Sequence, residues 1–136
     1  RMIFRRRCLE NDYVVAQDVG FAINPTYIEG QIEGGVAQGL GQALSEEIVY
    51  ADGRVMNPNL TDYKMPTAMD VPRIRSILIE SPSEVGPFGA KGAGEPPAIE
   101  PPAAIANAIA AATGARCRSL PITAERLLLA MDSLKR

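Results

Sequence analysis

The sequence contains no histidine and only two cysteines, and these shortages exclude several kinds of chemistry. Without histidine, the chain cannot build a Ser-His-Asp triad, a histidine proton shuttle or most zinc sites. Cys8 and Cys117 are far apart and form no Cys-x-x-Cys pair, which argues against a disulfide framework, a thiolate metal site or an iron–sulfur cluster. We therefore expect free thiols in a reducing, cytoplasmic compartment. Any acid–base work must fall to carboxylate, lysine or tyrosine side chains.

Charge and hydropathy exclude further classes of protein. A net charge of −2 provides no general attraction to nucleic acid or to an anionic membrane surface. No apolar run approaches the length of a membrane span, and no secretory signal pattern opens the chain. With 136 residues, 46% of them apolar and 22% charged, the sequence is typical of one globular domain with a core.

The order of the predicted elements indicates an α+β fold with three main helices and a small mixed or antiparallel sheet. Strands are predicted at 13–19 and 74–80, a hairpin at 47–56 around Asp52-Gly53, a loop at 57–72, and helices at 25–46, 103–113 and 123–134. The last helix is expected to bury Leu127, Leu128 and Met131. Because the elements are few, we expect strand edges to stay open for another chain or a further part of this one.

The predicted helix at 25–46 combines an apolar stripe with an unusual number of glycines. Apolar residues recur at every fourth position: Ile28, Ile32, Val36, Leu40 and Leu44. Each exposed glycine inside a helix costs about 1 kcal/mol relative to alanine, so five of them suggest that something approaches the backbone closely. Gln31 and Gln38, two turns apart, could bind a flat ligand there. Close packing of other elements, with both glutamines on the surface, is the simpler interpretation, and the residues alone favour it.

A loop at 86–97 contains four glycines and three prolines around Lys91 and Glu95. Gly94 gives Glu95 a flexible neighbour, whereas Pro96 stiffens the chain and should keep Glu95 out of the helical region. The bare amides of such a loop could bind an anion or the polar edge of a cofactor. The loop lacks the Gly-Lys-Ser/Thr of a Walker A motif. A mobile surface loop with a solvated glutamate is the alternative, so the residues alone indicate only an acid or base beside an amide-rich loop.

Five blocks, in order, resemble the late part of the molybdopterin-binding subunit of the xanthine dehydrogenase, aldehyde oxidase and carbon monoxide dehydrogenase family. They are Asp18–Gly20 with Ile23–Pro25 and Gly30–Gly41, Asp62–Pro72, Gly89–Pro97, Ala104–Ile109 and Leu120–Thr123. The resemblance spans roughly 14–131. It leaves 1–12 as an unmatched basic N-terminal segment and identifies 13–136 as the C-terminal portion of a molybdopterin-binding domain, incomplete relative to the full family domain.

The resemblance implies a part of a molybdenum hydroxylase that acts on an aldehyde, a heterocycle or carbon monoxide with oxygen from water. Glu95 would be the active-site base. The residues implied to contact a molybdopterin-type cofactor, plain or as its cytosine dinucleotide, are Gln31, Lys91, Gly92, Ala93 and Gly94. No side chain is implied as a metal ligand, because the pterin dithiolene holds the molybdenum.

The implied partners are the remainder of the molybdenum subunit, iron–sulfur and FAD subunits or domains, and a small-molecule substrate. No nucleic acid and no membrane span are implied. The chain by itself is expected to be inactive. The alternative is a non-catalytic fragment or assembly module that retains the family motif.

Overall fold

The computed structural model describes residues 12–134, and its long helix α1 (Pro25–Leu44) is the element against which the sheet and two other helices pack. Local chemistry explains where α1 begins, because the Asn24 side chain accepts a hydrogen bond from the Tyr27 amide at 3.2 Å and Pro25 takes the first helical position. The helix ends two residues before the predicted position 46. Ser45 has left the helical region, with φ −143°, and its amide donates to the Gly41 carbonyl oxygen at 2.9 Å.

The predicted α+β class with three main helices is confirmed. The strands are β1 (Tyr13–Asp18), β2 (Tyr50–Ala51), β3 (Arg54–Val55) and β4 (Ile74–Ile79); the other helices are α2 (Pro96–Ile99), α3 (Pro101–Thr113) and α4 (Ala124–Ser133). The short helix α2 lies in a stretch that was expected to be loop. Of the unmatched basic segment at 1–12, residues 1–11 lie outside the described residues.

The two strand pairs run in different directions. β1 and β4 are parallel, with Tyr13 opposite Ile74 and Asp18 opposite Ile79. β2 and β3 form the predicted antiparallel hairpin, and Asp52 and Gly53 both have positive φ, 49° and 73°, as a type I′ turn requires.

Two hydrophobic clusters form the core. In the first, Val15 of β1 packs with Ile32 and Val36 of α1, so one face of the sheet is covered by the helix. The second joins α3 and α4 and contains Ile109, Ala115, Ile122 and Leu127. The amide of Ile122 donates to the Ala43 carbonyl oxygen at 2.6 Å, which connects this second cluster to α1.

The prediction that Leu128 of α4 lies in the core is wrong. Leu128 is 59% exposed, whereas Leu127 is buried and Met131 packs against the second cluster. Successive residues of a helix are rotated by about 100° around its axis. Because Leu127 and Met131 face the second cluster, Leu128 points towards solvent.

The face of the sheet opposite α1 is largely apolar, although it also carries Arg75, and it is uncovered in residues 12–134. Val14 of β1 and Ile77 and Ile79 of β4 are each 45–47% exposed. In that part of the chain, no further strand lies at the outer edge of either β1 or β4. No helix within it is long and apolar enough to cross a membrane.

Candidate functional site

Four of the five glycines of α1 fall on two faces with different surroundings. A Cβ atom added to Gly35 would lie 2.8 Å from Pro97 Cβ, and one added to Gly39 would lie 2.8 Å from the Ala98 carbonyl oxygen. Close packing of α2 therefore explains the glycines on this face. Packing of other elements was the simpler of the two explanations that the sequence allowed. Around Gly30 and Gly34, by contrast, an added Cβ would meet no atom within 4 Å. This second face leaves a strip of bare helix backbone open.

Gln31 joins the open strip to the glycine loop. Its side chain is exposed, and a Cβ added to Gly94 would lie 3.6 Å from Gln31 Oε1. A Cβ added to Gly92 would meet nothing within 4 Å, whereas Ala93 between the two glycines is half-buried. The structure thus brings Gln31 and the loop together, although they are about sixty residues apart in the chain. Gln38 is also exposed on α1.

Glu95 lies at the start of α2, and its backbone differs from what the sequence predicted. Its φ of −95° and ψ of −29° place it in the helical region, despite Pro96. Its carbonyl oxygen accepts a hydrogen bond from the Ala98 amide at 2.9 Å, which stabilises this conformation. The Glu95 side chain is exposed and makes no capping hydrogen bond to α2, so the carboxylate is free of that helix.

Lys91 is paired with a residue for which the sequence predicted no individual role. Its Nζ atom lies 2.7 Å from Asp18 Oδ2, at the end of β1. The Asp18 carboxylate also accepts the Gly20 amide at 2.9 Å. Hydrogen bonds from Lys91 and then from Gly20 lower the pKa of Asp18 below its usual value. No local signal links Asp18 to Lys91, because only the folded chain brings them together.

The open strip and the loop fit the edge of a flat, polar cofactor. Open space at Gly30, Gly34 and Gly92 lets a flat group approach the backbone closely, and the side-chain amide of Gln31 can both donate and accept hydrogen bonds. Within residues 12–134, no group of three or more histidine, cysteine, aspartate or glutamate side chains could hold a metal ion. We call Gln31 and Gly92–Glu95 the candidate site. The direct role predicted for Lys91 at a cofactor stays a prediction.

Comparison with known proteins shows the family of this chain. A model described as a molybdopterin cofactor-binding domain matches residues 10–72. The xanthine dehydrogenase molybdenum-binding subunit of Escherichia coli O157:H7 is 44% identical over 119 residues, which are 86% of this chain and 16% of that protein. The chain belongs to the molybdenum-binding subunits of the xanthine dehydrogenase, aldehyde oxidoreductase and carbon monoxide dehydrogenase family.

Other members of this family are similarly related. The nicotine 6-hydroxylase large subunit of Paenarthrobacter nicotinovorans is 42% identical over 87% of this chain and 15% of its own length. The crystal structure of quinoline 2-oxidoreductase from Pseudomonas putida 86 matches 88% of this chain and 16% of its own with a TM-score of 0.81 at 41% identity. Aldehyde oxidoreductase from Desulfovibrio gigas also has a TM-score of 0.81, at 36% identity over 90% of this chain and 14% of its own. The chain therefore spans about a sixth of the length of the relatives it matches.

Proposed function

We propose that this chain supplies the base and part of the cofactor wall of a molybdenum hydroxylase, an oxidoreductase that transfers water-derived oxygen to an aldehyde, a heterocycle or carbon monoxide. The observation that carries this proposal is that Gln31 on the glycine-rich helix lies next to Gly94, directly before Glu95. Relatives named for xanthine dehydrogenase, nicotine hydroxylase and aldehyde oxidoreductase activity support the reaction class.

Gln31 and the amides of Gly92, Ala93 and Gly94 would hold a molybdopterin-type cofactor, either the plain pterin or its cytosine dinucleotide form. The bare backbone at Gly30 and Gly34 leaves room for a flat ring system beside Gln31. When bound, this group would supply the two-electron redox chemistry of the reaction. Lys91 would border the group through its backbone, because its ammonium is already paired with Asp18.

Glu95 would act as the general base. A carboxylate oxygen of Glu95 would accept the proton that the water-derived oxygen loses as it attacks the substrate carbon. The side chain is suited to this role because it makes no capping bond to α2, while the Glu95 carbonyl oxygen accepts the Ala98 amide and so holds the backbone. The rest of the subunit would have to cover it, since Glu95 is exposed in this chain.

The uncovered sheet supports a larger assembly as the working form. Parallel strands are normally covered on both faces, yet the Val14 and Ile77 face of β1 and β4 is open in residues 12–134. One relative is named a large subunit and another a complex subunit gamma. We propose that the remainder of a molybdenum subunit covers this face, and that iron–sulfur and FAD subunits or domains take up the electrons in the cytoplasm.

Replacement of Glu95 by glutamine in the enzyme assembled with its companion chains tests this function. We expect turnover to be abolished and the molybdenum content to be retained, because the amide keeps the shape of the side chain and cannot accept the proton. Glu100 provides a matched control, since it also precedes two prolines, is exposed and has helical φ and ψ. Glu100→Gln should leave turnover near normal, whereas near-normal turnover in Glu95→Gln would remove the base from this proposal.

Purification of the chain from its source distinguishes the enzyme from the alternative of an idle module. Companion chains that carry molybdenum, flavin and iron–sulfur clusters would support the hydroxylase. A lone monomer, or an oligomer of this chain only, would favour an assembly module in which the motif is inherited without activity.

A further inference from the structure

We infer that Asp18 is a positioning residue for Glu95, because its carboxylate holds Lys91 against the end of β1 and so fixes one end of the segment that leads to Glu95. The positional part of this inference rests on the proposed function, in which Glu95 is the base. We call the link that Asp18 makes to the loop, through Lys91, the tie. The tie consists of contacts within this chain and does not depend on the proposed function.

Both carboxylate oxygens of Asp18 are used in this tie. Oδ2 lies 2.7 Å from Lys91 Nζ, and Oδ1 accepts the Gly20 amide at 2.9 Å. The second bond orients the carboxylate, so that its other oxygen faces the loop. A charge-assisted bond to an oriented acceptor is stronger than a neutral one.

Backbone contacts next to the ion pair make the tie specific in position. The Lys91 amide donates to the Val19 carbonyl oxygen at 3.0 Å, and the Phe21 amide donates to the Gly89 carbonyl oxygen at 2.9 Å. Gly20 lies between these bonds with φ +69°, and a Cβ atom there would lie 2.3 Å from the Gly89 oxygen. The loop therefore approaches the chain just after β1 so closely that no side chain would fit at Gly20.

A second anchor lies on the other side of Glu95. Pro97 is fully buried and packs against Gly35 of α1. Only Gly92, Ala93 and Gly94 separate Lys91 from Glu95, so their Cα atoms are four residue steps and at most roughly 14 Å apart. Because glycine adopts many conformations, this short span cannot fix Glu95 by itself. The two anchors together do so, and the ion pair between Asp18 and Lys91 is the charge–charge contact at the first anchor.

Amide hydrogen exchange in the 136-residue chain tests the tie without a cofactor. Asp18→Asn keeps an oxygen for the Gly20 amide and removes the charge, so it isolates the ion pair. We expect the Lys91 and Phe21 amides to exchange about two- to fivefold faster, the range that follows from exposed ion pairs. Lys91→Met should give the same acceleration as Asp18→Asn, and combining the two substitutions should accelerate exchange no further. Lys91→Arg keeps the positive charge, so exchange should stay as slow as in the wild type.

The pair of Glu47 and Arg126 is a matched control. Its atoms are 2.8 Å apart and its side chains are 41% and 37% exposed, close to the 43% and 38% of Asp18 and Lys91. Glu47→Gln should leave exchange at Lys91 and Phe21 unchanged. Unchanged exchange in Asp18→Asn, or equal acceleration in Glu47→Gln, would overturn the tie.

Kinetics of the assembled enzyme test the positioning role. Asp18→Asn should lower kcat several-fold with little change in KM, because a displaced base slows the proton transfer more than it weakens substrate binding. Lys91→Arg should recover most of kcat. If exchange accelerates but kcat does not change, Asp18 is structural only and the inference is wrong. If the Glu95→Gln enzyme is active and exchange is still accelerated in Asp18→Asn, the proposed function is wrong and the tie is still supported.

Discussion

Glu95 and Glu100 are alike in sequence context and backbone conformation, yet we propose a catalytic role only for Glu95. Both precede two prolines, both are exposed, and both have helical backbone angles. The general preference of a residue before proline for extended backbone fails at both, because each carbonyl oxygen accepts a helical amide, from Ala98 and Ala104 respectively. What distinguishes Glu95 is its surroundings, namely Gly94 and, beyond it, Gln31.

The protonation of Asp18 should make the stability of the chain depend on pH. The bonds from Lys91 and Gly20 lower the pKa of Asp18 in the folded chain, so the unfolded chain binds the proton first as pH falls. The stabilisation is therefore fully present above the usual carboxyl pKa and is lost as pH falls through the lower, folded-state pKa. We expect the difference in urea midpoint between wild type and Asp18→Asn to shrink below about pH 5.

Urea unfolding of both proteins at several pH values between neutral and strongly acidic measures this difference. Glu47→Gln, measured in parallel, corrects for the general effect of removing one surface carboxylate. A difference between wild type and Asp18→Asn that stayed constant over the whole range would contradict the link between the Asp18 charge and the loop.

At the scale of elements, α1 should respond in opposite directions to the same substitution on its two faces. Gly35→Ala places a Cβ 2.8 Å from Pro97 and should destabilise the fold by about 1–3 kcal/mol, as overpacking does. Gly30→Ala meets open space in a helix interior and should stabilise the chain by up to about 1 kcal/mol. Urea unfolding of both variants measures the two free-energy changes, and a loss of stability in Gly30→Ala would show that its face is covered in solution.

Most elements could be predicted from the sequence, because their signals are local. Asn24-Pro25 marks the start of α1, Asp52-Gly53 forms the hairpin turn, and a run rich in isoleucine marks β4. The short helix α2 could not be predicted, since its stability comes from packing on Gly35 and Gly39.

The candidate site was predictable only in part. The glycines of α1 indicated a close approach, but the sequence could not say that Gly35 receives Pro97 while Gly30 stays open. The expected roles of Gln31 and Glu95 came from the family resemblance, since neither residue is distinctive alone. Asp18 was missed because it pairs with a lysine 73 residues away, and no periodicity connects them.

At the scale of the whole molecule, the open site and the open sheet have one physical explanation. A two-stranded parallel sheet with an apolar outer face is a partial layer, and parallel layers are stable when both faces are covered. Glu95 and the strip around Gly30 are likewise open to solvent in residues 12–134. Because the chain spans about a sixth of its relatives' length, the proposed cofactor would contact only part of its enclosing wall here.

The 136-residue chain should therefore retain little or no molybdenum when it is purified alone. A cofactor held on one side by Gln31 and the amides of Gly92–Gly94 remains exposed to water, and it dissociates more readily than one enclosed in a cavity. Metal analysis of the isolated chain, produced in cells that make the cofactor, measures this directly. The same analysis of the chain assembled with its companions is the control and should show bound molybdenum. Stoichiometric molybdenum in the isolated chain would mean that these few contacts suffice for tight binding, and the need for a larger assembly would then have to be given up.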